Sequence, residues 1–177
     1  YGCYAKTQPG LFSVALPICG MAGDQQAATI GQARLTTGET KATFGTGAFI
    51  LSNSGTAVPT SANRLLSTVL FQENDVRHYA LEGSVFVAGS LIQWMRDGLG
   101  ILQTAAETAQ LAASVPDNGG VVIVPALSGL GAPHWRPDAR GLIDGLDFST
   151  GSAHLARAAL VEKKKAADMS EQLKEEI

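Results

Sequence analysis

The amino-acid sequence predicts an α/β fold in which helices flank sheet. Apolar, β-branched runs closed by glycine or polar turns occur at 12–24, 42–53, 65–71, 77–83 and 121–127. Segments with apolar residues three and four apart occur at 25–35, 84–99, 101–114 and from 153 onward. The order is strands first, then a helix pair and a last helix around one further strand, which is a layered arrangement. No internal repeat is present.

Taken in order, Phe12 to Asp24 reads as a buried strand that stops near the acid, and Gln25 to Leu35 as a helix closed by Thr37-Gly38. Ala42 to Asn53 reads as a hairpin or bent strand. Leu65 to Phe71 and Arg77 to Gly83 add two strands, making a small antiparallel sheet. Ser84 to Leu99 places Val85, Ala88, Ile92 and Met95 on one helical face, with Gly89 in mid-helix, where glycine costs about 1 kcal/mol relative to alanine. A second helix covers Ile101 to Ser114 and stops before Pro116. Val121 to Leu127 reads as a strand covered on both faces, followed by a glycine-rich loop through Gly129, Gly131 and Pro133. Ser149, Thr150 and Ser152 are N-caps for a last helix from near Ala153, and Ala166, Met169, Leu173 and Ile177 let its charged tail stay helical.

The chain has 177 residues, a net charge of −3, and only 16% charged residues against roughly 25% in an ordinary soluble domain. Nine of the charges fall after Leu160. A surface so poor in charge suggests faces that meet further protein; with Tyr1 as first residue, the expectation is a piece of a longer polypeptide. Self-association is left open. There is no basic stripe for nucleic acid, no run long enough to span a bilayer and no leader pattern, so the expected compartment is the cytoplasm. Cys3 and Cys19 read as reduced, half-buried thiols, and His78, His134 and His154 lack ligand spacing, so no metal site is expected.

Asp24 lies where an apolar strand gives way to a helix, the end at which α/β proteins place ligands. Taken alone, it is favoured as a helix cap; the alternative is a general base that deprotonates a substrate hydroxyl during phosphoryl transfer. Gly45-Thr46-Gly47 reads by itself as a plain hairpin turn, yet two glycines and a hydroxyl also suit close approach to an anion. Gly89 calls for either close packing or a ligand, and Gln93 lies one helical turn further on the same face. The absence of GxxxxGK[ST] excludes a P-loop.

Five stretches in combination are more specific: 20–28 (GMAGDQQAA), 43–49 (TFGTGAF), 79–89 (YALEGSVFVAG), 92–97 (IQWMRD) and 129–135 (GLGAPHW). In this order, across about 16–160, they resemble the glycerol kinase branch of the FGGY carbohydrate kinases. The resemblance implies an actin-like, ribonuclease-H-like domain with a mixed sheet flanked by helices, forming part of the carboxyl-terminal half of a two-domain enzyme that uses ATP and Mg2+. Residues 1–160 would belong to that domain, and 161–177 would be a charged helical tail, either divergent or a non-native end. By the same resemblance Asp24 is the catalytic base and touches substrate with Gln25 and Phe49, while Thr46, Gly89 and Gln93 bind ATP. The acceptor would be glycerol or a similar polyol; the runners-up are another FGGY sugar or polyol kinase and a non-catalytic actin-like module that binds a nucleotide or partner.

The family's phosphate loop and most groups that clamp glycerol lie in an amino-terminal domain, and no Asp-x-Gly-Thr-Thr-type loop occurs in these residues. The isolated 177 residues are therefore expected to show negligible turnover. A coupled ADP-release assay on the purified chain checks this, and glycerol-dependent ATP consumption at an ordinary kinase rate contradicts it.

Overall fold

The computed structural model describes residues 3–175, without the side chains at 163, 166, 167, 169–172, 174 and 175. Its centre is a four-stranded antiparallel sheet of β3 (Thr40–Phe44), β4 (Ala48–Gly55), β5 (Leu66–Glu73) and β6 (Val76–Val85), in the order β3-β4-β6-β5. Two-stranded sheets of β1 (Ala5–Lys6) with β2 (Pro17–Ile18), and of β7 (Val122–Val124) with β8 (Leu142–Asp144), complete the strands. The helices are α1 (Asp24–Gly31), α2 (Gly89–Asp97), α3 (Glu107–Ala113) and α4 (Ser152–Glu175). Every named strand pair is antiparallel rather than mixed, because hairpins join β3 to β4 and β5 to β6, and a parallel neighbour needs a long crossover.

Pairing register sorts the sheet into two faces. Lys41 opposes Leu51, which opposes Glu82; two residues along, Thr43 opposes Phe49 and Phe49 opposes Ser84. Directly paired residues point the same way, so these six side chains share the face over which α1 lies. The intervening positions Ala42, Ile50 and Leu81 point to the opposite face, where Leu173 of α4 packs against them with no exposed surface of its own. α4 has 24 residues, about 36 Å. Its first half joins a separate core, with Ala156, Ala158 and Ala159 beside Leu91, Ile92 and Met95 of α2 and Val121 and Ile123 around β7. Arg157 Nη1 ties it to α3 by donating to the carbonyls of Ala112 (3.1 Å) and Val115 (3.0 Å).

Several expectations change. Phe12–Asp24 is not a buried strand: only Pro17–Ile18 is strand, and Leu11, Phe12, Val14, Leu16, Ile18 and Met21 are exposed, because no described element lies over them. Cys3 and Cys19 are exposed free thiols rather than half-buried. β7 is covered on one face, with Ile123 buried and Val122 exposed. Ser84 and Val85 finish β6, so α2 begins at Gly89, which is the helix's first residue and not a mid-helix glycine. The last helix does continue through the charged tail and runs unbroken past 160; of its expected stripe Leu173 is buried, whereas Ile177 and the side chains of Ala166 and Met169 lie outside the described residues.

Leu173→Ala should open a cavity under Ile50 and Leu81 and lower stability by about 2–5 kcal/mol. Urea unfolding measures this; an unchanged midpoint would mean that α4 does not seal the sheet.

Candidate functional site

α1 starts at Asp24, with Gly23 as N-cap and no side-chain capping bond. Asp24 is therefore not the cap. It is exposed in the first turn, where the helix dipole favours an anion, and its Oδ2 accepts from Gln25 Nε2 at 3.1 Å. The Gln25 Oε1 in turn accepts from Lys41 Nζ. Gln26 reaches across to the Val69 carbonyl of β5 at 3.5 Å, and Thr29 is buried beneath the helix. These contacts seat α1 on the sheet face that bears Lys41, Leu51 and Glu82.

Lys41 has 1% of its surface exposed, so its ammonium lies out of water. Burial pushes its pKa below the usual lysine range, and the negative charges of Asp24 and Glu82 oppose that shift. Glu82 is fixed by the Ser84 hydroxyl, which donates to its Oε1 at 2.9 Å. A cation between two carboxylates, with an amide bridging it to one of them, accounts for the buried charge.

The next pairing row toward the hairpin end holds Thr43, Phe49 and Ser84, and beyond it lies the Gly45-Thr46-Gly47 turn. At about 3.4 Å per residue, the row of Phe49 stands roughly 7 Å from that of Lys41, between it and the turn. The order along the face is thus carboxylate and cation, then an aromatic wall, then the turn. Phe49 is half-buried and Thr46 exposed.

The turn is a hairpin, closed by Gly45 N–H donating to the Gly47 carbonyl at 2.8 Å, and it is docked onto α2. The Thr46 carbonyl accepts from the amides of Ala88 (2.8 Å) and Ser90 (3.1 Å) and from the Ser90 hydroxyl (2.8 Å), while the Gly45 carbonyl accepts from the Gly89 amide (2.9 Å). The first amides of α2, which at a bare helix start would attract an anion, are spent on holding the turn. Close packing explains Gly89: a Cβ there would stand 2.5 Å from the Gly45 oxygen. Gly47 is constrained in the same way by the Val85 carbonyl, also at 2.5 Å. Gln93 is exposed on α2, one turn beyond Gly89.

The 129–135 loop braces the other side of this row. Ala132 N–H donates to the Ser84 carbonyl at 3.0 Å, and Trp135 Nε1 donates to the Arg64 carbonyl at 2.7 Å while its ring meets Phe86 edge-on. The structure thus brings Asp24, Gln25 and Phe49 to one face with Thr46 at its end, and it ties Gly89 to the turn. Sequence reasoning missed Lys41, Glu82 and Ser84. The signal available was the alternation in β3 and β6, which puts Lys41 and Glu82 in step with Phe49's face.

A model of the FGGY family of carbohydrate kinases, C-terminal domain, matches residues 40–161. The chain belongs to the FGGY family of carbohydrate kinases. Among its relatives, the glycerol kinase of Rhodospirillum centenum is 54% identical over 157 residues, covering 89% of this chain and 32% of the relative. That of Nitratidesulfovibrio vulgaris strain DP4 is 58% identical over 152 residues, covering 86% and 31%. Among solved structures, Plasmodium falciparum glycerol kinase with ADP superposes with a TM-score of 0.70 at 38% identity, over 89% of this chain and 33% of that one. A ligand-bound xylulose kinase from Lactobacillus acidophilus shares the fold, with a TM-score of 0.71 at 22% identity. This FGGY chain spans about a third of the length of the curated relatives it matches.

Gly89→Ala should push the turn off α2, costing about 1–3 kcal/mol. Amide hydrogen exchange at Ala88 and Ser90 should accelerate in proportion; unchanged protection at those two amides would contradict the docking.

Proposed function

We propose that the chain is the carboxyl-terminal part of an ATP-dependent kinase that transfers the γ-phosphate to a terminal hydroxyl of glycerol, giving glycerol 3-phosphate. The observation that carries the reading is the order along one sheet face, a carboxylate at Asp24, an apolar wall at Phe49 and a glycine-bounded turn at Thr46. The relatives named glycerol kinase, at 53–58% identity, support glycerol as the acceptor.

Asp24 is the general base. Its carboxylate takes the hydroxyl proton as the acceptor oxygen bonds to the γ-phosphorus, the bond from that phosphorus to the β,γ-bridging oxygen breaks, and ADP leaves. Gln25 hydrogen-bonds the polyol, and the Phe49 ring packs on its carbon chain and excludes water. Thr46 offers its hydroxyl to the terminal phosphates, on a turn too firmly docked to retreat as charge builds. Gly89 admits the turn, and Gln93 lies beside the nucleotide. ATP supplies the phosphoryl group; bound Mg2+ would neutralise its phosphate oxygens. Mg2+ carried by a nucleotide takes its oxygens mostly from phosphate and water and needs one or two carboxylates besides, so Asp24, exposed in the first turn of α1, would be the carboxylate of these residues placed to meet it. The remaining polyol and phosphate contacts come from an amino-terminal domain across the cleft. No described helix is long and apolar enough to cross a membrane, and two unpaired, exposed thiols fit a reducing cytoplasm.

In the full-length enzyme Asp24→Asn should lower kcat by on the order of 10²- to 10⁴-fold with ATP affinity little changed. Steady-state kinetics and nucleotide titration measure this. Retention of kcat would remove Asp24 from the role of base, wild-type protein that binds nucleotide without turnover would point to a non-catalytic module, and turnover of another polyol in preference to glycerol would reassign the substrate within the family.

A further inference from the structure

Lys41 is a lysine that a sheet of this size has no structural need to bury. Its row neighbour Leu51 is apolar, and an apolar residue of similar volume at position 41 would avoid the desolvation cost altogether. The ammonium instead donates to Gln25 Oε1, and the same amide group donates through Nε2 to Asp24 Oδ2. A side-chain amide is planar and has one acceptor and one donor end. With the acceptor end held by a cation and the donor end by a carboxylate, flipping the amide would set N–H groups against the ammonium and an oxygen against the carboxylate. The chain of bonds therefore fixes the orientation of Gln25 and, through it, the carboxylate of Asp24, which is otherwise exposed and has no capping bond. Asp24 on α1 and Glu82 on β6 are the charged groups facing Lys41, and Ser84 holds Glu82 in place.

We propose that Lys41 is a positioning residue: from inside the sheet it locks the Gln25 amide, and thereby aims Asp24 at the acceptor hydroxyl and leaves Gln25 in one orientation toward the polyol. This rests on the phosphotransfer reading for its kinetic consequence, while the locking of the amide stands apart from it. The ammonium is a donor only, whereas the neutral amine can also accept and so no longer dictates which end of the amide faces it; burial brings that loss of a proton to lower pH than for an exposed lysine. Turnover should accordingly fall on the alkaline side at a pH below the usual lysine range.

The test uses the full-length enzyme with Lys41→Met, Gln25→Ala and the double variant, with glycerol and ATP as substrates. Lys41→Met should lower kcat about 10²-fold, raise KM for glycerol, leave KM for ATP unchanged and abolish the alkaline fall assigned to Lys41. If the lysine acts through Gln25, its replacement should have little further effect in the Gln25→Ala background; independent, additive losses would overturn the proposal. The Gln25 side-chain amide signal, read by NMR, should be dispersed and slow to exchange in the wild type and collapse to the mobile position in Lys41→Met. An unchanged signal overturns the locking whatever the activity. Loss of cooperative unfolding in both Lys41→Met and Lys41→Gln would also overturn it, since the lysine would then be supporting the sheet. Wild-type enzyme without turnover on any polyol would sink the phosphotransfer reading, and the amide signal would then decide the locking by itself.

Discussion

The register of β3 against β4 and of β4 against β6 decides what can meet on the surface under α1. Because side chains alternate along a strand, slipping β3 by one residue would carry Lys41 to the face under α4 and bring Ala42 beneath α1. The cation that meets Gln25 would be gone, and a charge would be driven into the Ile50, Leu81 and Leu173 cluster. The apolar packing on one side and the polar chain of bonds on the other thus specify the same register. The short turn adds a third constraint, since its carbonyls reach the α2 amides only with Phe44 paired to Ala48.

Rigidity follows the same logic. The turn that carries Thr46 has few side-chain contacts of its own to hold it, as two of its three residues are glycine. What holds it is the set of amides that open α2, each one an otherwise unpaired donor. Helix and turn satisfy each other's backbone, so a surface loop with the conformational freedom of glycine becomes a fixed platform. Pre-formed geometry of this kind is what transfer between two bound substrates requires, because positioning and charge stabilisation supply most of the rate in phosphoryl transfer.

Much of this was legible in the residues. The hairpin at 42–53 and the strands at 65–71 and 77–83 lie where spacing predicts, and each expected helix has a counterpart among the described residues, although α1 ends at Gly31 rather than Leu35 and α3 covers only Glu107–Ala113 of 101–114; Asp24, Gln25 and Phe49 are found on one face with Thr46 at its end. The departures have physical causes. Val85 and Ala88 keep a helical rhythm with Ile92 and Met95, but the pairing of Val85 with Ala48 holds the chain in the sheet, so the helix starts later and Gly89 becomes a contact point at its first turn. Apolar content at 11–21 indicates a surface that avoids water without saying what covers it. Lys41 escaped notice because alternation separates the two faces of a strand but does not say which of them a helix will cover. A lone lysine between threonine and alanine looks solvated until α1 is laid over it.

The proposed phosphotransfer depends on one face presenting the Asp24 carboxylate at one end and the Gly45–Gly47 turn at the other. A crystal structure of the full-length polypeptide with glycerol and a non-hydrolysable ATP analogue tests it most directly. The account predicts a terminal glycerol oxygen about 2.6–3.2 Å from the Asp24 carboxylate, the carbon chain against Phe49 and the γ-phosphate beside Thr46. Glycerol seated on any other surface, or a nucleotide whose phosphates lie away from the Gly45–Gly47 turn, would contradict it.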